Sequence, residues 1–180
     1  MNHTKNQLKV SMKPLLKILF SILLVNLGTY CALAQQEEQT MGASGYPLPR
    51  FMSLDDKITN MRTGPGLDYP IDWIYQKQDY PLKVIAEYGN WFKVMDIDGS
   101  TGWILRALLS LNRYGIIING TQNLVKSPEE INIITLTADQ DVLGAVLQCR
   151  NAWCEMEIGG FKGWIRSENI WGVLELETFD

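Results

Sequence analysis

Four short stretches of the chain, 71–75, 82–86, 91–95 and 102–105, alternate apolar and polar residues or nearly do so, and each is bounded by Gly, Asn, Asp or Pro. Period-two alternation sends successive side chains to opposite faces, so each stretch predicts a half-buried β-strand. Strands this short, separated by turns every ten residues or so, predict a small antiparallel barrel or sandwich. No window carries helical periodicity over the length of a helix. RALLS (106–110) and RSENIW (166–171) each predict one helical turn.

The pattern then repeats. YGNWFKVMDIDGSTGWILRALL (88–109) and CRNAWCEMEIGGFKGWIRSENI (149–170) both read turn, Trp, alternating strand, Gly-containing turn and Gly-Trp-Ile. Trp91 matches Trp153 at an offset of 62, and Gly102-Trp103-Ile104 matches Gly163-Trp164-Ile165 at an offset of 61. Upstream, 73–88 and 133–149 share a strand, charged turn, strand pattern, and Asn60 and Pro65 match Asn123 and Pro128 at an offset of 63. The expectation is an all-β chain with two tandem domains, 50–111 and 112–176, joined through LNRYG (111–115). A domain of this size buries only about 60% of its unfolded surface and is marginal alone. Trp91, Trp103, Trp153 and Trp164, at equivalent places in both repeats, predict core packing positions that add buried area. Trp73 and Trp171 have no tryptophan counterpart and are expected at the surface.

Residues 1–34 stand apart from this pattern. Lys5, Lys9, Lys13 and Lys17 precede an apolar run ending in Ala32-Leu33-Ala34, the layout of a signal peptide cleaved before Gln35. Residues 35–49 are polar and punctuated by Gly and Pro, which predicts a flexible lead-in. Cleavage would remove four of sixteen basic residues and none of twenty acidic ones, leaving a net charge of −8. An acidic chain without a Lys/Arg cluster lacks the footprint for nucleic acid, and anionic membrane surfaces are disfavoured. No stable membrane anchor is expected after cleavage, and the location expected is periplasmic or secreted.

The same cleavage removes His3, the single histidine. Ser-His-Asp and Cys-His hydrolases need an imidazole base, and zinc peptidases usually need imidazole ligands, so these classes are excluded. DIDGS (96–100) begins like a calcium loop but lacks the later ligands and falls where a hairpin must turn, so it is read as a turn. No cofactor and no metal is expected. Cys149 and Cys154 flank a predicted hairpin turn in a chain destined for an oxidising compartment; a disulfide is expected rather than two free buried thiols. Their matches in the first repeat are read as Tyr88 and Phe92.

TNMRTGPGLDYP (59–70) concentrates the candidate chemistry. Gly64 with φ > 0, Pro65 presetting φ, and Asn60 bonding its own backbone would make a defined irregular turn. Arg62, with five fixed donors for a carboxylate, could stand beside Tyr69 and Trp73 in a binding cleft, with Trp171 as a further surface aromatic. A phosphate loop is excluded, since no Lys-Ser/Thr and no helix follow the glycines.

ITNMRTGPGLDYP (58–70), followed by WIY, NWFKV and GWILRALL, resembles the bacterial Src-homology-3-like (SH3-like) domain family of exported envelope proteins. The matching features are Asn60, Arg62, Gly64, Pro65, Trp91 and Gly102-Trp103-Ile104. The second repeat is degenerate: it meets Arg62 with Val125 and Gly64 with Ser127, yet keeps Trp153, Gly163 and Trp164. The resemblance implies two five-stranded barrels without catalytic activity, working as an accessory module that binds peptidoglycan or an envelope protein.

Overall fold

In β7 (Trp91–Met95) Phe92 and Val94 are buried while Trp91, Lys93 and Met95 are half-exposed, as the alternation requires. The same logic runs along the chain. The computed structural model describes residues 40–180; the expected signal peptide, 1–34, and residues 35–39 lie outside the described residues. A short hairpin, β1 (Thr40–Met41) and β2 (Pro47–Leu48), comes first. The first barrel contains β3 (Arg50–Leu54), β4 (Thr59–Arg62), β5 (Ile71–Tyr75), β6 (Pro81–Tyr88), β7, β8 (Thr101–Leu105) and β9 (Leu109–Ser110). The second contains β10 (Tyr114–Ile117), β11 (Gln122–Val125), β12 (Ile134–Ala138), β13 (Leu143–Arg150), β14 (Trp153–Ile158), β15 (Phe161–Arg166) and β16 (Ile170–Trp171). One 3-10 turn precedes the last strand of each barrel, Arg106–Leu108 and Ser167–Asn169, where the single helical turns were expected.

The strand orders are β5-β4-β8-β7-β6-β3-β9 and β12-β11-β15-β14-β13-β10-β16, so the second sheet repeats the first strand for strand. Register repeats too. Arg62 lies opposite Ile71 and Trp103, and Val125 lies opposite Ile134 and Trp164, each beside a bulge. Five strands wrap each barrel, and the long loop adds a hairpin of its own, β4–β5 or β11–β12. Asn60 therefore sits inside β4 opposite Ile74 and not in a turn.

Each barrel has its own core. Leu54, Met61, Leu82, Val84, Phe92, Val94 and Ile104 fill the first; Ile117, Leu124, Val146, Cys154, Met156 and Ile165 fill the second. No tryptophan belongs to either of these clusters, and Trp91, Trp103 and Trp153 are half-buried, which corrects the expectation for those three; Trp164 is buried as expected, but outside the cluster. The reason is alternation: Gly102 and Ile104 face inward, so Trp103 between them must face out. Trp164 is buried on that outer face under the Arg150 guanidinium, 4.6 Å from its ring, and Trp153 lies under Arg166 at 5.3 Å.

The barrels meet along a seam. The Trp171 indole N–H donates to the Pro81 carbonyl at 3.1 Å, and its ring meets Phe51 edge-on at 5.1 Å. The Lys83 ammonium lies within 6 Å of both rings, at 5.6 and 5.7 Å. Across the seam the Ser53 hydroxyl donates to the Asn112 carbonyl at 2.8 Å. The linker LNRYG is partly strand, since β10 begins at Tyr114.

Residues 40–49 are not a flexible lead-in. The Ser44 amide and hydroxyl both donate to the Glu87 carboxylate, at 2.7 and 2.6 Å, and Arg50 pairs with Glu87 at 2.8 Å. The pair is almost fully buried, with side-chain exposures of 9% and 3%. Burial alone would raise the Glu87 carboxyl, but the Ser44 hydrogen bonds and the Arg50 guanidinium outweigh it and hold it below its usual value of 4.5. A depressed folded-state value means stability present above about pH 4.5 and lost as pH falls through the folded value. Acidification below pH 4.5 should therefore loosen this arm before the barrels melt. The Ser44 amide, followed by hydrogen exchange, should lose protection in that window; a Glu87→Gln chain showing the same pH dependence would refute the assignment.

Cys149 and Cys154 form a disulfide across β13–β14. Register pairs Glu87 with Phe92 as it pairs Cys149 with Cys154, so the match to Tyr88 is off by one and the equivalent residues are Glu87 and Phe92. The two-residue turns, Gly89-Asn90 and Asn151-Ala152, set that register. Replacing both cysteines with serine should cost the second barrel at least about 2 kcal/mol in urea unfolding, the loop-entropy contribution of so small a ring. A loss within error of zero would show that the bridge is not structural.

Candidate functional site

Arg62 ends β4 at the bulge, and this placement turns its side chain onto its own loop. Arg62 Nη1 donates to the carbonyls of Tyr69 at 2.7 Å and Leu67 at 3.1 Å. Across the loop mouth, the Thr63 amide donates to the Pro70 carbonyl at 3.1 Å, and Lys126 and Ile133 repeat that bond in the second barrel at 2.8 Å. The Tyr69 ring lies over Gly64, where any side chain would run into it. Gly64 is required for this close approach and not for positive φ, which it does not adopt.

Arg62 and Tyr69 are thus brought together, with one Arg62 nitrogen committed to shaping the loop. Trp73 stands on the adjacent strand β5, two residues beyond Ile71, the cross-strand partner of Arg62. Here the surface is apolar: Leu67, Tyr69, Ile71, Trp73 and Ile74 are all exposed, Trp73 by 59%. Since β5 ends the sheet order, its outer edge has no strand partner among the described residues. Trp171 is not part of this surface. Its half-buried ring and its N–H are spent on the seam, which removes it from the ligand candidates on geometric grounds.

Sequence reasoning missed Ile71 and Ile74. The signal was present in IDWIY, whose apolar residues occupy both faces of one strand, a pattern that leaves some of them outside any small core. In the second barrel the equivalent strand β12 carries exposed Ile134, with Ile131 and Ile133 exposed in the loop before it, so an apolar edge persists where the arginine does not. A separate cleft of about 520 Å³, lined by Asn90, Leu105, Arg106, Ala107 and Leu109, includes none of the candidate residues.

The acidic residues shape turns. Asp96 Oδ1 accepts from the amides of Asp98 and Ser100 at 3.1 and 2.8 Å, and Oδ2 accepts from the Tyr75 hydroxyl at 3.2 Å, so DIDGS is a turn built on a buried carboxylate. Burial, then the Asp96 charge, pushes Tyr75 far above the ordinary phenol range and Tyr80 up to about 12. Neither hydroxyl can act as a base near neutral pH. Among the described residues no group of three or more His, Cys, Asp or Glu could hold a metal ion. None of the described helices is long and apolar enough to cross a membrane.

Among solved structures the chain is similar to NlpC1 of Trichomonas vaginalis (14% identity over 73% of this chain and 48% of that one, TM-score 0.32). It is also similar to NlpC2 of the same organism (14% identity, 70% and 49%, TM-score 0.33). A third similarity is to an NlpC/P60 family protein of Bacillus cereus (12% identity, 67% and 55%, TM-score 0.31). The chain spans about half the length of each. No curated protein matches it. The model of the bacterial SH3 domain matches twice, at residues 55–110 and 119–172, one match to each barrel. With both barrels matched in tandem, the chain belongs to the bacterial SH3 domain family.

Proposed function

We propose that the chain is an exported, non-catalytic binding module that holds peptidoglycan through the first barrel. Bacterial SH3 domains are binding modules, often for the cell wall. The observation that carries this reading is the exposed apolar edge of β5 and its loop, with Tyr69, Ile71 and Trp73 exposed on the loop and strand beside Arg62. Aromatic and aliphatic surface suits the apolar parts of a stem peptide, and the Arg62 nitrogens not spent on the loop suit its carboxylate.

Purified full-length mature chain should pellet with isolated sacculi at low salt. Trp73→Ala should weaken that binding at least about tenfold, the scale expected of an aromatic anchor, while leaving the exposed-site variant as stable as the parent. Arg62→Ala should weaken it as well. Absence of sacculus binding at low salt, or binding indifferent to Trp73, would end this reading.

The second reading is a periplasmic scaffold for another protein, favoured by the open edge of β5, which can accept a partner strand through main-chain hydrogen bonds. A protein cross-linked to residues of β5 in the absence of cell wall would select it over peptidoglycan.

A further inference from the structure

The sheet leaves half of one long strand open. Within β13, only Leu143, Gly144 and Ala145 have partners on β10, and the Val146 amide donates to the Arg113 carbonyl at 2.9 Å just beyond them. Past that point the outer edge of β13 meets no other strand of the sheet among the described residues. Residues after β16 fill it. The Cys149 amide donates to the Phe179 carbonyl at 2.9 Å, and the Phe179 amide donates back to Cys149 at 3.1 Å, the reciprocal pair of an antiparallel ladder.

Side chains add to this pairing. Arg113 grips the Glu177 carboxylate with both terminal nitrogens, Nη1 at 2.6 Å and Nη2 at 2.8 Å, while its guanidinium lies 4.5 Å from the Phe179 ring centre. Arg113 Nη2 also donates to the Gly172 carbonyl at 2.9 Å, and Glu177 Oε2 accepts from the Leu174 amide at 2.9 Å. Glu177 and Phe179 are two residues apart, the spacing at which an extended chain presents both side chains to one face. Main chain on a strand edge with alternate side chains held at one arginine is the format of strand-addition peptide recognition.

The first barrel supplies an independent observation. Arg50, opposite Val84 as Arg113 is beside Val146, is the equivalent arginine. It too stacks on a ring from outside the barrel, Tyr46 at 5.5 Å, and holds a carboxylate. Its occupant is a different segment, entering from the other end of the chain, and its carboxylate, Glu87, belongs to the barrel itself. One place on the fold thus takes unrelated segments around a common arginine.

We propose that the β13 edge beside Arg113 is a peptide-binding site, filled in this chain by its own residues 177–179. In trans it takes an extended peptide bearing a carboxylate side chain two residues before an aromatic one. The test uses the full chain with Glu177→Ala and Phe179→Ala, which frees the edge, and a fluorescent synthetic peptide of residues 174–180 read by anisotropy. Saturable binding is expected, at least about tenfold weaker for a peptide carrying the same two alanines. The unaltered chain should also bind at least about tenfold more weakly, because its tethered segment competes at millimolar effective concentration. Arg113→Lys in the freed chain, which keeps the charge and loses the fork, should weaken binding similarly. No saturable binding to a freed chain that still unfolds cooperatively, or binding indifferent to the two peptide side chains, overturns the proposal. Hydrogen exchange on the unaltered chain gives a measurement free of variants. The Phe179 amide should exchange well before that of Val146; exchange only with global unfolding would make the segment an integral strand and overturn the site.

Discussion

Arg50→Ala should be among the most damaging single changes to the first barrel, costing about 3 kcal/mol or more in urea unfolding. Removal of the guanidinium leaves the Glu87 carboxylate 3% exposed with only the Ser44 donors, and an uncompensated buried charge is worth about 3–5 kcal/mol. Packing is lost as well, because the guanidinium lies between the Tyr46 and Phe92 rings, at 5.5 and 5.0 Å. Against the about 5–15 kcal/mol typical of whole domains, such a loss is a large part of the margin of a small barrel. The double replacement Arg50→Met with Glu87→Leu should be far milder, since apolar residues of similar volume replace a buried pair at little cost. If the single and double variants are equally unstable, packing and not the unpaired charge is the cause.

Gly163→Ala should destabilise the second barrel by about 3 kcal/mol, and Gly102→Ala the first by about 1–2 kcal/mol, the range for overpacking a filled core. These glycines are equivalent, but their neighbours differ. A Cβ on Gly163 would sit 2.7 Å from Leu124 Cβ, which is fixed to the backbone, and 2.5 Å from the Thr135 hydroxyl. At Gly102 the obstruction is the Met61 side chain, with Cγ closest and the sulfur 2.8 Å away, and a rotamer change in this flexible, unbranched side chain can move both aside. The Arg62 carbonyl at 3.0 Å sets the remaining cost. Denaturant midpoints of the two variants measure the difference, and a Gly102 variant less stable than its Gly163 counterpart would contradict this account.

Much of the fold was legible because alternation and turn residues are local signals. The strands at 71–75, 82–86, 91–95 and 102–105, the two helical turns and the Cys149–Cys154 bridge all follow from short-range pattern. What was not legible depends on partners distant in sequence. Ser44 reads as a loop serine until Glu87, 43 residues on, is placed beneath it. Trp171 reads as a surface aromatic until the Pro81 carbonyl, 90 residues away, takes its N–H. The tryptophan assignment is a different kind of miss, since the alternation that placed Ile104 inside already placed Trp103 outside. In the candidate site, Arg62 and Tyr69 were recognisable as neighbours, but not that the arginine spends Nη1 on the loop carbonyls.

The exposed edge of β5 also has a colloidal side. Of its residues only Tyr75 is buried, and Asp72 is the single charge among Ile71, Trp73 and Ile74. An apolar strand with a bare edge invites pairing with a second copy of itself, and one well-placed charge is a common way of discouraging it. Asp72 stands where a gatekeeper charge would, and the chain's acidic excess adds a repulsion between copies that salt screens within about 10 Å at 0.1 M. A repulsion of this kind favours low ionic strength and neutral pH for concentrated stocks of the chain.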